Sequence, residues 1–584
     1  VHGQLTPSIA GQYELAVTLE KHDNILNEES KSAIKDIIHL LTSMANGIAE
    51  QKYYVSSLDP GMGKTTAIIQ WLNQFCKLPD YDDVGVLVCF DRHDQIMDFV
   101  KKAKLRNESY CICVSKSRDP LGLMDNDLNR NINGSQVLIT TKKQISLRSL
   151  SRGSLKEISE FFYLGKPRKV LIWDETLMVG RGLILSWAEI GHLMEAVTRK
   201  KTKELGEQVY QTLENLHKLE NGQRVRLSNI NMDFREYMSL YEQEPPKIKE
   251  KAEIFWHLAG QEVLLRGSHR GLTIIGSIMD MPCDFKPCLV TDASAKVRQT
   301  YRLHQKNQGD LVFLKQAAKK YTNLTCYLWD RGSGKTCLAD RTVRDRVAKE
   351  ICQVIKNRPN EKFLVVHHKP QNDEKSIYDV VCGLLKEDAK RISSCHYGIH
   401  TSTNDFSEIP NVIIAGVNYY SDIDYEAMSR AAANTPIREN IPEDDTGQFK
   451  YGEIQHHILQ AACRGAIRKC INDQCPETNL WVIGSHNTGV TGKMIQQLFP
   501  EAKIEKWVVV ELTEKQEKVT SFIDNALNEG GNGISLKTVR EYFGVRDNWT
   551  FTRDFMNDRF IEELEKKGIK FEKGYGKKSK FIRI

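Results

Sequence analysis

Short apolar runs that alternate with amphipathic helical stretches are the feature that most constrains the fold of this chain. Continuous apolar strands separated by helices are typical of parallel sheets that are covered on both faces. These runs are too many for one ordinary sheet, so the sequence predicts two α/β domains that join near residue 300. The runs are Tyr53–Leu58, Gly85–Phe90, Tyr110–Val114, Val137–Thr140, Val170–Trp173, Cys288–Thr291, Leu324–Trp329, Phe363–His367, Val412–Val417, Leu480–Gly484 and Trp507–Leu512.

The composition is that of an ordinary globular chain. Of its 584 residues, 40% are hydrophobic and 27% are charged, which suits a large core and, at roughly 150 residues per domain, about four domains. A net charge of +6 is mild over this length and does not by itself indicate a nucleic-acid partner. The 14 cysteines are far fewer than a disulfide scaffold needs. Because no leader and no membrane-length apolar run is present, we expect a protein of the cytoplasm or nucleoid of a bacterial or phage-infected cell, without a membrane partner.

The pattern along the chain predicts four parts. They are an N-terminal helical segment (1–50), a first α/β domain (51–300), a second α/β domain (301–512) and a basic C-terminal domain (513–584). Residues 190–265 are charged and helical in pattern, which predicts a helical insertion in the first domain. In the C-terminal part, three helical segments precede two strand-like runs that flank a Gly-Tyr-Gly turn. This order predicts a winged-helix-like domain.

A glycine-rich loop follows the first strand-like run and precedes an apolar-periodic helix over Ala67–Phe75. Glycines let backbone N–H groups curl around phosphates at the positive end of a helix. Lys64 is expected to reach the β and γ phosphates of a nucleotide, and Thr65 to hold Mg²⁺ through its hydroxyl. A merely structural turn is the alternative, but the strand–loop–helix context favours nucleotide binding. The predicted nucleotide-binding residues of the loop are Gly61, Gly63, Lys64, Thr65 and Thr66.

A buried-strand pattern over Lys169–Trp173 ends in two carboxylates, Asp174 and Glu175. A parallel sheet presents ligands at the carboxyl ends of its strands. Asp174 is expected to bind Mg²⁺, and Glu175 to orient and activate the attacking water. Acidic strand ends also occur for solubility alone. Because the pair lies about 110 residues after Lys64, however, it supports ATP hydrolysis.

Taken in order, these motifs resemble those of superfamily 2 DNA and RNA helicases and translocases. The loop around Lys64 is similar to motif I, and Asp174–Leu177 to motif II. The resemblance spans roughly residues 50–490. It implies an α/β fold in which two RecA-like domains enclose ATP and Mg²⁺, and an ATP hydrolase that acts on nucleic acid.

Three further segments extend this resemblance. Val137–Gln144 is similar to the strand-end segment that contacts the nucleic-acid backbone, and His400–Phe406 to variants of motif V. Val290–Ala295 is similar to motif III, which couples hydrolysis to strand movement. The resemblance thus implies nucleic-acid contacts for Thr140, Thr141 and Thr401, and a coupling role for Thr291, Asp292 and Ser294.

The segment Gln460–Arg468 looks like motif VI. In helicases, arginines of the second domain reach the γ phosphate bound on the first domain and stabilise the charge of the transition state. Arg464 and Arg468 are the candidates, and Gln460 is implied as a nucleotide contact. The second arginine falls four residues after the first where three are usual, so the choice between them stays open. Two basic residues on a solvated helix face are the alternative.

A second Gly-Lys-Thr sequence, Gly334–Thr336, follows another strand-like run. No apolar strand that ends in Asp-Glu follows it. It lies at the entrance to the second domain, where helicases carry a decayed phosphate loop or none. We therefore interpret it as a loop that touches nucleic acid or the interdomain cleft. A second hydrolytic site is the alternative.

The last nineteen residues, from Lys566 to Ile584, carry eight basic residues and one acidic residue, a charge of +7. A cluster of this kind neutralises phosphates and releases counterions. Lys577 and Lys578, at the tip of the predicted hairpin, are expected to contact a nucleic-acid backbone. A protein-interaction module or a solvated terminus is the alternative.

These features together predict an ATP-dependent helicase or translocase. DNA, single-stranded or forked, is favoured over RNA through the winged-helix-like tail, and replication or repair is the expected setting. The alternative is a nucleic-acid-dependent ATPase switch that remodels or recruits a protein complex without unwinding. Its protein partner would bind the helical insertion or the C-terminal domain.

Overall fold

The computed structural model describes residues 6–21, 26–114, 131–199, 203–268, 271–370, 374–398, 406–508, 512–529, 533–556, 558–574 and 579–584. The chain divides into two compact units, Val1–Glu505 and Lys506–Ile584. No helix in the described ranges is both long enough and apolar enough to cross a membrane.

The first unit opens with two helices, α1 (Pro7–Lys21) and α2 (Glu28–Ala45), in the predicted N-terminal segment. Its core then contains a seven-stranded parallel sheet. The strands are β1 (Tyr53–Val55), β2 (Val86–Phe90), β3 (Tyr110–Cys113), β4 (Val137–Thr141), β5 (Val170–Asp174), β10 (Cys288–Thr291) and β11 (Leu311–Phe313), in the order β11-β1-β10-β5-β2-β4-β3. The helices that accompany this sheet are α3 (Lys64–Phe75), α4 (His93–Ala103), α5 (Lys142–Arg152) and α10 (Gln299–Gln308).

The central strands of this sheet are continuous apolar runs because helices cover both faces. All five residues of β2 and of β4 are buried. The described strand pairs are parallel, and β5 lies between β2 and β10. The carboxyl ends of β5 and β10 therefore meet at the same edge of the sheet, and the sheet itself extends past residue 300 through β11.

A second sheet of six strands, whose described pairings are parallel, follows in the same unit. Its strands are β12 (Leu324–Trp329), β13 (Phe363–His367), β14 (Ile392–His396), β15 (Asn411–Ala415), β16 (Thr478–Ile483) and β17 (Lys503–Lys506), in the order β14-β13-β15-β16-β12-β17. The helices are α11 (Lys335–Ala339), α12 (Arg341–Lys356), α13 (Ile377–Leu385), α14 (Asp422–Ala433), α15 (Glu443–Ala462) and α16 (Gly492–Leu498). Two helix-covered parallel sheets confirm the α/β class with two RecA-like domains.

The insertion in the first α/β domain is a mixed structure. Its helices are α6 (Trp187–Arg199), α7 (Lys203–His217), α8 (Phe234–Ser239) and α9 (Pro246–Leu258), and its strands are β6 (Gly180–Ser186), β7 (Arg224–Arg226), β8 (Glu262–Ser268) and β9 (Gly271–Met279). The strands form an antiparallel sheet in the order β6-β9-β8-β7. The prediction of an insertion made of helices alone is wrong. Its cause is that β6 and β9 pair across the whole insertion, so they lie outside the charged helical segment that marks it in the sequence.

The predicted strand Trp507–Leu512 falls partly outside the described residues, which include only Trp507, Val508 and Leu512 of this run. A strand that was not predicted lies directly before it, at Lys503–Lys506. The strand reads Lys-Ile-Glu-Lys and lies at the edge of its sheet, where charged residues are usual. An apolar-run criterion cannot find such a strand.

The second unit has a small core of its own. Its helices are α17 (Glu514–Asn528), α18 (Leu536–Tyr542), α19 (Asn548–Phe555) and α20 (Asp558–Lys566), and its strands are β18 (Ile534–Ser535), β19 (Ile569–Glu572) and β20 (Lys580–Arg583). The three strands form an antiparallel sheet with β20 in the centre. Phe581 of β20 is fully buried, so the sheet holds the unit together.

Candidate nucleotide site between the two parallel sheets

The phosphate loop owes its shape to two glycines with left-handed backbone conformations. Gly61 has φ +84° and Gly63 has φ +92°, values that other residues rarely adopt. Asp59 holds the start of the loop in place, because its side chain is only 2% exposed and pairs with the ammonium group of Lys296. Helix α3 then begins at Lys64 and directs its free N–H groups toward the cavity, as an anion site requires.

Lys64 lies inside this loop. Its Nζ donates hydrogen bonds to the carbonyl oxygens of Leu58 and, at 3.3 Å, of Asp59. Burial lowers the pKa of Lys64 to about 8, although the carboxylates of Asp59 and Asp174 oppose this. Phosphate oxygens are stronger acceptors for an ammonium group than neutral carbonyls, so the lysine can exchange these partners for a nucleotide.

The acidic pair lies at the carboxyl end of β5, as predicted. Thr291, at the end of the neighbouring β10, donates from Oγ1 to Asp174 Oδ1 at 2.8 Å. Glu175 has φ +61°, which is strained for a residue with a side chain. Burial and the neighbouring Asp174 raise the pKa of Glu175 to about 8, and burial also raises the pKa of Asp174. Cations beside the pair stabilise its ionised form.

The second domain supplies two arginines. Helix α15 ends at Ala462, and Arg464 folds back onto it, donating from Nη2 to Gln460 Oε1 at 2.7 Å. Arg464 is 6% exposed, and burial lowers its pKa while the carboxylate of Glu175 opposes the shift. Arg468 lies in a separate 3₁₀ turn, Ala466–Arg468. The two arginines are thus not on one helix, and the spacing argument based on helical rotation does not apply.

One cavity of about 330 Å³ joins all of these groups. Phosphate loop and acidic pair lie on its first-domain side, and the arginines on its second-domain side. The structure thereby brings together eleven of the residues predicted from sequence, namely Gly61, Gly63, Lys64, Thr65, Thr66, Asp174, Glu175, Thr291, Gln460, Arg464 and Arg468.

The donor set in this cavity fits Mg²⁺. The ion prefers oxygen ligands and usually takes only one or two carboxylates, together with water and substrate phosphates. The cavity offers the exposed hydroxyl of Thr65 and the carboxylate of Asp174. Within the described ranges no group of three or more His, Cys, Asp or Glu side chains is placed to hold a metal ion.

Gly61 is also the point at which the phosphate loop touches the second domain. A Cβ at this position would lie 2.0 Å from the carbonyl oxygen of Arg468. We therefore expect Gly61→Ala to weaken nucleotide binding roughly tenfold, because the loop must both leave its left-handed conformation and separate from the arginine segment.

A matched control for this substitution is Gly47→Ala. Gly47 has φ +71°, but a Cβ there has no neighbour within 4 Å. It carries the backbone strain without the steric contact. Titration with a fluorescent ATP analogue, with the melting temperature measured beside it, separates the two effects. Equal nucleotide affinity in both variants would contradict the proposed contact.

Of the predicted nucleic-acid residues, the structure describes Thr140 and Thr141. Thr140 is fully buried and donates its hydroxyl to the Cys113 carbonyl at 2.6 Å, and Thr141 is 6% exposed. Thr401, Lys577 and Lys578 lie outside the described residues.

Lysines that the sequence analysis did not select follow the two threonines. Lys142 and Lys143 line a cavity of about 660 Å³ between α5 and the insertion, with Trp173, Arg181 and Lys249. Lys142 bonds Asp91 at 3.0 Å, whereas Lys143 is exposed. The sequence signal for this surface was the Lys-Lys pair directly after Thr-Thr.

Of the predicted coupling residues Thr291, Asp292 and Ser294, Ser294 contacts the second domain. Asp292 is fully buried and accepts hydrogen bonds from the Ser294 N–H at 2.8 Å and from the Tyr301 hydroxyl at 2.7 Å. Ser294 Oγ lies 2.8 Å from Nδ1 of His456, a residue of α15 in the second domain. His456 was not selected from the sequence, because a lone histidine in a helix carries no signal of its partner.

The second Gly-Lys-Thr loop lacks the geometry of a phosphate loop. Gly334 has φ −65°, and neither Gly332 nor Gly334 is in the left-handed region. The hydroxyl of Ser333 is donated to the Ile483 carbonyl at 2.7 Å, and helix α11 has only five residues. These features support the interpretation that this loop is not a second hydrolytic site.

Comparisons with known proteins concern the fold. No protein-family model and no curated protein matches the chain. Among solved structures, an apo XPD has a TM-score of 0.45 and 16% identity, over 80% of this chain and 99% of that one. Xpd4 of S. tokodaii has a TM-score of 0.42 and 12% identity, over 82% and 99%. The DEAD-box helicase Mss116 bound to ssRNA and UDP-BeF has a TM-score of 0.36 and 12% identity, over 94% and 95%.

The class of the protein follows from the geometry of the cleft. Two RecA-like domains lie in tandem, and a phosphate loop and an Asp-Glu strand end of the first face arginines of the second across one cavity. This arrangement is an α/β fold of two RecA-like domains with the candidate nucleotide site in the cleft between them.

Proposed function

We propose that this protein is an ATP-dependent helicase or translocase that acts on nucleic acid. The observation that carries the proposal is the cavity in which Lys64 and Glu175 of one domain face Arg464 of the other. A site built from both domains ties their relative position to the state of the nucleotide. Alternate binding and hydrolysis of ATP would then move a nucleic-acid strand that contacts both domains.

Each group in the cleft has a role that its position supports. Lys64 and the N–H groups of α3 bind the β and γ phosphates. Thr65 and Asp174 would hold Mg²⁺, which supplies positive charge to the phosphates when bound. Glu175 orients the attacking water and accepts its proton. Arg464 stabilises the charge that develops on the γ phosphate.

The cavity between α5 and the insertion supports nucleic acid as the second substrate. Its lining includes Lys143 and Lys249, together with Arg181, which pairs with Glu253 at 3.3 Å. Basic groups of this kind can contact a phosphate backbone. DNA is the proposed polymer, on the grounds that the C-terminal unit has the helix and strand order of a winged helix and a basic tail.

The experiment that tests this proposal is ATP turnover by the purified protein alone and with single-stranded DNA, duplex DNA or RNA. Turnover stimulated by one polymer supports the proposal and identifies the polymer. A strand-displacement assay then separates a helicase from an ATPase switch that remodels proteins. Absence of turnover with every polymer would contradict the proposal.

The basic tail gives a separate prediction. We expect Lys577→Ala combined with Lys578→Ala to weaken DNA binding and to reduce the slope of log K against log[salt] by roughly one to two, because each lost phosphate contact removes about 0.9. Point variants are preferable to deletion, since residues 566–584 include β20 and the buried Phe581.

The control for the tail carries the same loss of charge at two lysines on a helix of the same unit. Lys515 and Lys518 of α17 are both exposed. Alanine at these two positions should leave the salt slope within about half a unit of wild type. Equal slopes in the two double variants would show that the tail acts only through net charge.

A further inference from the structure

The backbone of Val297 and Arg298, which follow motif III, packs closely against helix α15 of the second domain. Gly452 lies inside α15, and a Cβ there would come within 2.8 Å of the Val297 carbonyl oxygen and 3.2 Å of Arg298 Cα. Glycine in a helix interior destabilises the helix relative to alanine. The close approach of the two domains accounts for its presence here.

A buried ion pair crosses the same contact. Arg298 donates from Nε to Glu453 Oε1 at 2.7 Å and from Nη2 to Glu453 Oε2 at 2.8 Å. The two side chains are 4% and 2% exposed. A bidentate pair of this kind fixes the angle between its partners as well as their distance.

The same guanidinium reaches the acidic strand end of the first domain. Arg298 Nη1 donates to the hydroxyl of Thr176, the residue that follows Glu175, and lies 3.8 Å from Asp292 Oδ2. Burial alone would lower the pKa of Arg298, but the carboxylates of Glu453 and Asp292 raise it above its usual value. The side chain therefore keeps its positive charge at the point where Thr176, Asp292 and Glu453 meet.

Helix α15 connects this pair to the arginine of the nucleotide site. Gln460 follows Glu453 by seven residues, which is about two helical turns and places both on one face of α15. Gln460 in turn accepts a hydrogen bond from Arg464. Because a packed helix moves as a rigid body, a change in the orientation of α15 at Glu453 would also displace Gln460 and Arg464.

We propose that Arg298 and Glu453 form a positioning pair that sets Arg464 of the second domain against Glu175 of the first. This inference rests on the proposed ATP hydrolysis. The pair does not touch the nucleotide cavity itself. It acts through α15 on one side and through Thr176 on the other, so that this buried contact links the arginine side of the cleft to its acidic side.

The test compares two variants of the pair with a control. We expect Glu453→Gln and Arg298→Lys each to lower kcat about 10- to 100-fold, since a small displacement of a catalytic group has effects of this size. The affinity for a fluorescent ATP analogue should stay within about threefold, because neither residue lines the cavity. Circular dichroism and the melting temperature establish folding, and where Glu453→Gln is not folded, the comparison rests on Arg298→Lys, which keeps the buried charge.

The control is a second bidentate pair between the same two domains. Arg266 of β8 donates to both carboxylate oxygens of Glu426 of α14, at 2.7 Å each. It touches none of the motif residues. Glu426→Gln should therefore keep kcat within about twofold of wild type. An equal loss of kcat in this control would overturn the inference, because the effect would then be general to domain contact.

A double variant separates positioning from stability. If Glu453 acts through Arg464, then Glu453→Gln should add almost nothing to Arg464→Ala, since residues that act as a unit are non-additive. Multiplied losses in the double variant would overturn the inference. Wild-type protein without ATP turnover would instead contradict the proposed function, and the two failures are thus distinct.

Discussion

Replacement of Lys64 by alanine is expected to abolish ATP turnover, with a loss of kcat of about 10²–10³-fold or more. Lys64 is the buried cation of the phosphate loop, and its present partners are the carbonyls of Leu58 and Asp59. Alanine removes the charge that the β and γ phosphates need, and the other first-domain lysine of the cavity, Lys102, is paired with Asp98 at 2.6 Å. Phosphate release at saturating ATP, with and without nucleic acid, measures the loss.

The matched variant is Lys335→Ala, which removes the lysine of the second Gly-Lys-Thr sequence. Its loop has no left-handed glycine and binds its own Ser333 to the Ile483 carbonyl. We expect nucleotide affinity and nucleic-acid-independent turnover within about twofold of wild type. Complete loss of nucleotide binding in Lys335→Ala would contradict the assignment of a single hydrolytic site.

The contrast between these two lysines shows what the sequence could predict. Both lie in Gly-Lys-Thr after an apolar strand, and a sequence pattern treats them alike. The difference lies in backbone angles, since Gly61 and Gly63 adopt positive φ and Gly334 does not. The absence of an Asp-Glu strand end after the second loop was the sequence signal, and it pointed the same way.

The buried strands were predictable because each is a continuous apolar run. Phe363–His367 and Cys288–Thr291 match the structure residue for residue. The antiparallel sheet of the insertion was not found, because Gly180 pairs with Met279 across 99 residues, and no local pattern records such a pairing. Long-range register of this kind is a tertiary property.

Eleven residues of the cleft could be predicted from sequence motifs, but the side chains that hold the two domains in place around it could not. Asp174 and Glu175 end a strand, and this was visible from an apolar run followed by carboxylates. Arg298 and Glu453 have no motif, and each reads as an ordinary charged residue in a polar segment. What distinguishes them is that their side chains are only 4% and 2% exposed. The burial of these charges appears only when both domains are folded together.

The arginine that completes hydrolysis is predicted to be Arg464. It is nearly buried, it is oriented by Gln460, and its charge interacts with that of Glu175. Arg468 lines the same cavity, but its carbonyl oxygen lies against Gly61 of the phosphate loop. We expect Arg464→Ala to lower kcat about 10³-fold or more, as loss of an arginine finger does, while nucleotide affinity changes much less.

Arg468→Ala is the comparison, with an expected loss of kcat of about tenfold. Arg464→Lys tests whether charge alone is sufficient, because lysine keeps the positive charge but lacks the planar guanidinium that Gln460 orients. If Arg464→Lys recovers less than about a tenth of wild-type turnover, then geometry as well as charge is required. A large loss in Arg468→Ala with a small one in Arg464→Ala would reverse the assignment. It would also place the catalytic charge on the 3₁₀ turn that contacts the phosphate loop, and no longer on the residue that α15 orients.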